Sequence, residues 1–376
     1  MRKGDFNPAA HGLRGVASLM VLGAHILGGP AKHVYNSNAE YVSFVQGPWS
    51  FGIYGVNLFF VISGFVIWGS VVRYLPAEFA LRRFFRIYPL FFVSTLIFAL
   101  LNAATNAYPK INDPLSVVSA FLFLDLFTGT EQLAPNAWSL TYEVVYYALT
   151  CLTFHLALRQ RNVILGLCSL ALSAAFVVAF PITFYFIGGL LIRILYDRGT
   201  AAPRGPIAPI LEIAFAAMCV WTASTGLVEY TWARMSDPLV PLRIIVTFGY
   251  FYLAVQEGSL TERLLSNRLI VYFGMVSYSL YLVHPYVYFV VRALFSKYHL
   301  FTDQVLVSMT LFALTTIAVT LPATHIVHIF LERWPYQRFF HQQVYRTRTV
   351  ASFLPLRFLR SRRPETGKPR QHGAEA

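Results

Sequence analysis

Charge is what this sequence has least of. Only 12% of its 376 residues are Asp, Glu, Lys or Arg, where a soluble domain carries about 25%. With 56% hydrophobic residues and a mean hydropathy of +0.55, that shortfall excludes an ordinary soluble domain. Cysteine is also scarce. Cys151, Cys168 and Cys219 all sit in apolar stretches without a CxxC spacing. No disulfide framework or cysteine metal site is expected, and the three read as packing residues. There is no Gly-rich phosphate loop, no internal repeat and no appended soluble domain. Arg2 and Lys3 resemble the start of a signal peptide, but Arg14 and His25 interrupt the apolar run and no A-x-A site follows. A retained first span with a cytoplasmic N-terminus is therefore expected. Acidic groups are outnumbered, 17 against 30 Lys and Arg, for a net charge of +13. The basic residues flank apolar runs and gather in the tail, so no nucleic-acid partner is expected.

The apolar runs predict an all-α polytopic membrane protein with about ten transmembrane helices. The spans fall near 12–28, 51–71, 84–104, 138–157, 163–179, 181–196, 208–226, 240–256, 270–294 and 303–331. A polar loop is expected over Gly29–Trp49, and Pro89 is expected in the first turns of the third span. The run Leu115–Phe127 is too short to cross and contains Asp125, so it is expected to be re-entrant or interfacial on the outer side. This topology puts every Lys and Arg on the cytoplasmic side except Lys32, Lys110, Arg234, Arg243, Arg292 and Lys297. That is a strong positive-inside bias, with both termini cytoplasmic. Residues 1–335 form the membrane domain and 336–376 a basic, partly disordered tail. Residues 350–359 could lie on the inner leaflet.

Several ionisable residues fall inside these apolar runs, where they are costly and mark functional sites by default. Arg14 and His25 are eleven residues apart in LRGVASLMVLGAHILG. On a helix that is about 16 Å along the axis and within about 20° of one face. A neutral imidazole at His25 suits proton removal from a hydroxyl. Helix packing for His25 and simple flanking for Arg14 are the alternatives. In RRFFRIYP, Arg82, Arg83 and Arg86 cluster at a cytoplasmic junction, with Arg83 and Arg86 on one face. They read either as positive-inside flanks or as an anion clamp for phosphates.

WSLTYEVVYY places Glu143 inside a span, where it could orient a sugar hydroxyl or a histidine. Its aromatics, Trp138, Tyr142, Tyr146 and Tyr147, could stack on a sugar ring but fit an interfacial belt better. In SYSLYLVHP, Ser277, Tyr281 and His284 share one polar face, and Pro285 kinks the helix and frees a carbonyl. This face either lines a cavity or serves the kink. His325, His328 and Glu332 also share a face, but their spacing is poor evidence for a metal, and none is expected. Glu332 is expected to pair with basic neighbours at the membrane surface. Ser63 and Gly64 in NLFFVISGF read as close-packing residues.

The order LRGVASLMVLGAHI, NLFFVISGF, RRFFRIYP, WSLTYEVVYY, SYSLYLVHP resembles the membrane acyltransferase 3 family over about residues 12–335. The resemblance implies an integral O-acyltransferase of the bacterial cytoplasmic (inner) membrane. It would move an acyl group, usually acetyl from cytoplasmic acetyl-CoA, to a hydroxyl of a glycan or lipid-linked saccharide. It implies a catalytic role for His25 and Arg14, from the family's arginine and histidine separated by ten residues. It also implies donor binding by Arg83 and Arg86 with Arg82 beside them, and a site role for Glu143 after W-S-L. Trp138, Tyr142, Ser277, Tyr281 and His284 are the candidate acceptor contacts. No permanently bound cofactor is implied; acetyl-CoA is a co-substrate. With no fused esterase-like domain, the chain looks like the stand-alone type, with homo-oligomers open. The outer segments Gly29–Trp49 and Ala104–Pro135 are expected to set the acceptor. A transporter or flippase for an acylated saccharide is the alternative, and a structural partner in polysaccharide assembly a third.

Overall fold

The computed structural model describes residues 6–340 apart from 107, 135 and 200–204. The expected leaflet-binding stretch at 350–359, with nearly all of the basic tail, lies outside the described residues. So do Arg2 and Lys3.

The chain is helical, with no strand among the described residues. Asparagines set several starts. Asn7 caps α1 (Pro8–His33) by accepting from the amide of Ala10, and its side-chain amide donates to the Val255 carbonyl. Asn38 caps α2 (Ala39–Ile53), which runs almost directly into α3 (Gly55–Arg73). The loop expected over Gly29–Trp49 is therefore mostly helix. Its polar residues include a capping asparagine, and Pro30 and Pro48 are accommodated inside the helices.

Helix α4 (Pro76–Thr105) starts two turns earlier than expected, with Pro76 in its first turn, where a missing N–H costs nothing. Pro89 consequently lies deep inside α4 rather than near its start. The expected interfacial region forms two short helices, α5 (Pro114–Phe121) and α6 (Asp125–Thr128). Asp125 is buried there, accepting from Thr141 at 2.7 Å and Gln132 at 3.0 Å, which fastens the segment to the next helix.

That helix is α7 (Trp138–Thr153), extended by a π-helical turn, Phe154–Arg159. Helices α8 (Val163–Ala179) and α9 (Phe184–Asp197) follow, then α10 (Ile207–Ser224), α11 (Leu239–Ala254) and the short α12 (Leu260–Leu265). Helix α13 (Arg268–Lys297) continues unbroken through Pro285. Helix α14 (Val305–Val327) passes into a second π-turn, His328–Arg333, and then α15 (Trp334–Gln337).

Among the described residues, six helical stretches are long and apolar enough to cross a membrane: α1, α2–α3 together, α4, α10, α13, and α14 with its extension. The sequence reading made α8 and α9 two crossings; they meet at a 115° bend, so the pair makes a seventh span only if counted as one broken span. Helix α11 is apolar but short. The protein is thus a multi-pass helical bundle.

Helix α1 is central, packing on α2, α3 and most extensively on α13. The α1–α13 contact rests on two facing glycines. A Cβ on Gly15 would meet the Gly274 nitrogen at 2.7 Å and the Ile270 carbonyl at 2.9 Å, and one on Gly274 would meet the His11 ring at 2.8 Å. Gly64 and Gly189 play the same part between α3 and α9, each facing the other helix's carbonyl groups. Such close approach is how helices associate in lipid without a hydrophobic driving force. Replacing Gly64 with Val is expected to destabilise the protein by about 1–3 kcal/mol, as over-packing does. A lowered unfolding midpoint in detergent would register it; an unchanged midpoint would show that α3 and α9 can separate freely.

Of the cysteines, Cys151 and Cys219 are buried as expected, but Cys168 is exposed on the outer surface of α8.

Candidate active site

At one end of the bundle, arginines from α1, α3, α4 and α9 surround two adjoining cavities. One, of about 270 Å³, is lined by Arg14, Ser70, Tyr74, Phe79, Arg82, Arg83, Arg86 and Tyr336. The other, of about 190 Å³, shares Arg14, Ser70 and Tyr74 and adds His11, Arg73 and Arg193. Arg14 stands at the junction, half-buried. The charges acting on it are Arg86, Glu143 and Glu332, yet among the described residues no carboxylate is within 4 Å of it.

The three arginines expected to act together are engaged differently. Arg82 is buried and bound to Glu78 at 2.8 Å, against the Tyr74 ring at 4.2 Å, while still lining the larger cavity. Arg83 donates to Ser70 at 2.8 Å and lies over the Tyr147 ring at 5.2 Å, with no ion pair among the described residues. Arg86 is paired with Glu332 at 3.1 Å while its side chain stays 36% exposed toward the cavity. If Arg83 belongs to the phosphate clamp that the family resemblance implies, Arg83→Ala is expected to weaken CoA binding about tenfold with little change in stability, as loss of one charge-assisted contact does. Titration calorimetry with CoA would show it, and unchanged affinity would remove Arg83 from the clamp.

Glu332 is not at the surface, as the sequence suggested, but 1% exposed. It accepts from Ser279 at 2.6 Å and pairs with His328 at 2.8 Å as well as with Arg86. The π-turn is the cause. It carries His328 and Glu332 inward together, whereas His325, one turn earlier, bonds the Tyr272 hydroxyl at 3.0 Å. The three residues that seemed to share a face therefore part, and among the described residues no His, Cys, Asp or Glu cluster could hold a metal.

Glu143 accepts from Ser63 at 2.9 Å and from the hydroxyl of Tyr147, both through Oε1. Ser63 thus has a polar partner beyond its packing role. Glu143 does not bond His25; it lies within electrostatic reach of Arg14 and of Tyr147, the ring beneath Arg83. The aromatics do not form one belt. Tyr146 is buried against Phe186 at 4.5 Å and Tyr147 is buried on Glu143. Trp138 remains 37% exposed, and Tyr142 is half-buried between Trp138, Phe60 and Phe180.

Deeper in the bundle, His25 packs on His284 with ring centroids 5.0 Å apart. His25 is half-buried, and no protein group among the described residues hydrogen-bonds it. His284 is fully buried. The polar face of α13 is mostly used internally. Ser277 donates to its own helix at Gly274, and Tyr281 bonds Ser139 at 2.9 Å. Asn136, just before α7, binds His284 at 3.1 Å. Ser277 thus has its hydroxyl turned onto its own helix, while Ser70 and Tyr74 line both cavities, Asn136 meets His284 and Glu332 meets Arg86, four placements the sequence reading did not single out for the site. Only the freed carbonyl at Pro285 signalled a missing donor near His284.

Fold and site together define a multi-pass membrane protein with two arginine-lined cavities at one end and, inside the bundle, an imidazole that no described residue hydrogen-bonds. Residues 7–326 match the family described as acyltransferase domain, Acyl_transf_3. The chain belongs to that family, the one its ordered sequence blocks resemble. It is also similar to "Exopolysaccharide production protein ExoZ" of Rhizobium meliloti (strain 1021), 27% identical over 253 residues, covering 62% of this chain and 76% of the relative. No solved structure matches.

Proposed function

We propose that this protein is an O-acyltransferase that moves acetyl from cytoplasmic acetyl-CoA to a hydroxyl of a membrane-associated saccharide at the bacterial inner membrane. The observation that carries the reading is the arrangement along α1. Arg14 opens into the arginine cavities, and His25 lies about 16 Å further along the same helix. That separation lets an anionic carrier stay in the arginine end while its thioester reaches the imidazole. The name of the Rhizobium relative supports a polysaccharide acceptor.

In this mechanism Arg14, Arg83 and Arg86 hold the donor's phosphates. His25 takes the proton of the acceptor hydroxyl as its oxygen bonds the thioester carbonyl carbon. The C–S bond breaks, and the imidazolium returns the proton to the CoA thiolate. Ester and CoA leave, and no atom is unaccounted for. Glu143, close to Arg14 and held by Ser63 and Tyr147, steadies the cationic end.

Transport without chemistry would need neither His25 nor CoA. The test compares O-acetyl groups on surface glycans of cells with and without the gene. Loss of an acetyl signal, restored by wild type but not by His25→Ala, is expected. An unchanged acetyl pattern, with saccharide flux in reconstituted vesicles, would replace the enzyme with a transporter.

A further inference from the structure

The His25–His284 contact raises a question of charge. A base that gains a proton beside a second imidazole works poorly if that neighbour is itself charged, because like charges at this separation oppose each other strongly in a low dielectric. The structure answers through Asn136. Pro285 has no N–H, so the carbonyl of Tyr281, four residues before it, has no helical partner. The side-chain nitrogen of Asn136 approaches that carbonyl at 3.3 Å and the Nε2 of His284 at 3.1 Å. The other ring nitrogen, Nδ1, lies 2.8 Å from the Leu280 carbonyl.

A carbonyl only accepts, so Nδ1 carries the proton. Nε2 is left to accept from Asn136. Turning the amide over would set its oxygen against the Tyr281 oxygen, acceptor to acceptor. Both ring nitrogens of His284 are thus occupied, and a second proton has no place.

We propose that Asn136 is a positioning residue that acts through His284. It holds His284 as the neutral Nδ1–H tautomer against His25, so that the acceptor's proton settles on His25 alone. The consequence for turnover rests on the reading of His25 as the base; the tautomer does not. Ser139 secures the arrangement, donating to the Asn136 carbonyl at 3.3 Å and sharing a hydrogen bond with Tyr281.

Two full-length variants test it. His284→Gln keeps a neutral acceptor for Asn136. Asn136→Asp keeps the ring but turns a donor into an acceptor, which draws a proton onto His284. Acetyl transfer from radiolabelled acetyl-CoA onto total membrane glycan is expected to fall less than about tenfold in His284→Gln and about a hundredfold in Asn136→Asp, within the span of a general-base contribution. A purely structural role predicts the reverse order, since removing the ring disturbs packing more than one isosteric atom does. Equal losses in His284→Gln and His25→Gln would overturn the proposal, because His284 would then carry the proton itself.

Nitrogen-15 NMR of histidine-labelled wild type at pH 7, compared with folded His284→Gln, decides the tautomer even if Asn136→Asp does not fold. The signal missing from His284→Gln should report Nδ1–H and a bare Nε2; Nε2–H or an imidazolium sinks the proposal. Wild-type turnover by His25→Gln would sink the assigned base instead, leaving the NMR result standing.

Discussion

Protein carrying His25→Gln is expected to bind CoA as the wild type does and to transfer acetyl about a thousandfold more slowly, within the range for loss of a positioned base. The two properties separate because they sit at different points of one helix. The arginine cavities are at the start of α1, and His25 is eleven residues beyond Arg14. His25 has no hydrogen bond to protein among the described residues, so substituting it leaves no partner stranded. Stopped-assay turnover together with calorimetric CoA binding reads both. Lost CoA binding would mean that His25 shapes the donor site, and full turnover would remove it from the reaction. Mixing wild type with labelled acetyl-CoA alone addresses a covalent route: label retained on the protein and absent from His25→Gln marks an acyl-histidine intermediate.

Arg86→Ala is expected to lower stability by about 3 kcal/mol, toward the low end for a broken buried pair because the arginine itself is partly exposed. The cost lies with Glu332, whose side chain is 0% exposed and would keep its charge without its guanidinium partner. Adding Glu332→Gln to Arg86→Ala should recover most of that loss while CoA binding stays weak. Unfolding midpoints in detergent for the two single variants and the double variant form the cycle. If the double variant is no more stable than Arg86→Ala, the buried charge is not the source of the cost. The cycle also guards against a wrong reading of the arginine clamp: a single Arg86 variant that fails to bind CoA has lost a contact and a folded site together.

The sequence carried the parts of the site that lie on one helix. Arg14 and His25 share α1, and helical geometry alone fixed their spacing. It also carried the family, through blocks whose order matters more than any one of them. What it could not carry was pairing across the bundle. Asn136 reaches His284 from a loop 148 residues away in the chain, and only the carbonyl freed by Pro285 hinted that a donor was needed. Glu332 looked like a surface residue because it stands at the end of the last span among basic residues, whereas the π-turn faces it inward onto Arg86. Helix α2 was read as a loop because Gly, Pro and polar residues suggest one, while Asn38 and the packing against α1 make it helix. Hydropathy outlined six of the spans clearly. Helices α7, α8, α9 and α11 carry apolar runs as well, but each is shorter than those six stretches.

The wide turn at His328–Arg333 makes this part of the chain more sensitive to length than to spelling. Apolar exchanges at Ile329, Phe330 or Leu331 leave the register intact. Inserting one residue among these three turns everything beyond it by about 100° relative to what precedes it. Glu332 would then swing away from Arg86 and Ser279 although each of those residues was still present. Insertions here would act on the arginine cavity as directly as replacing one of its charges.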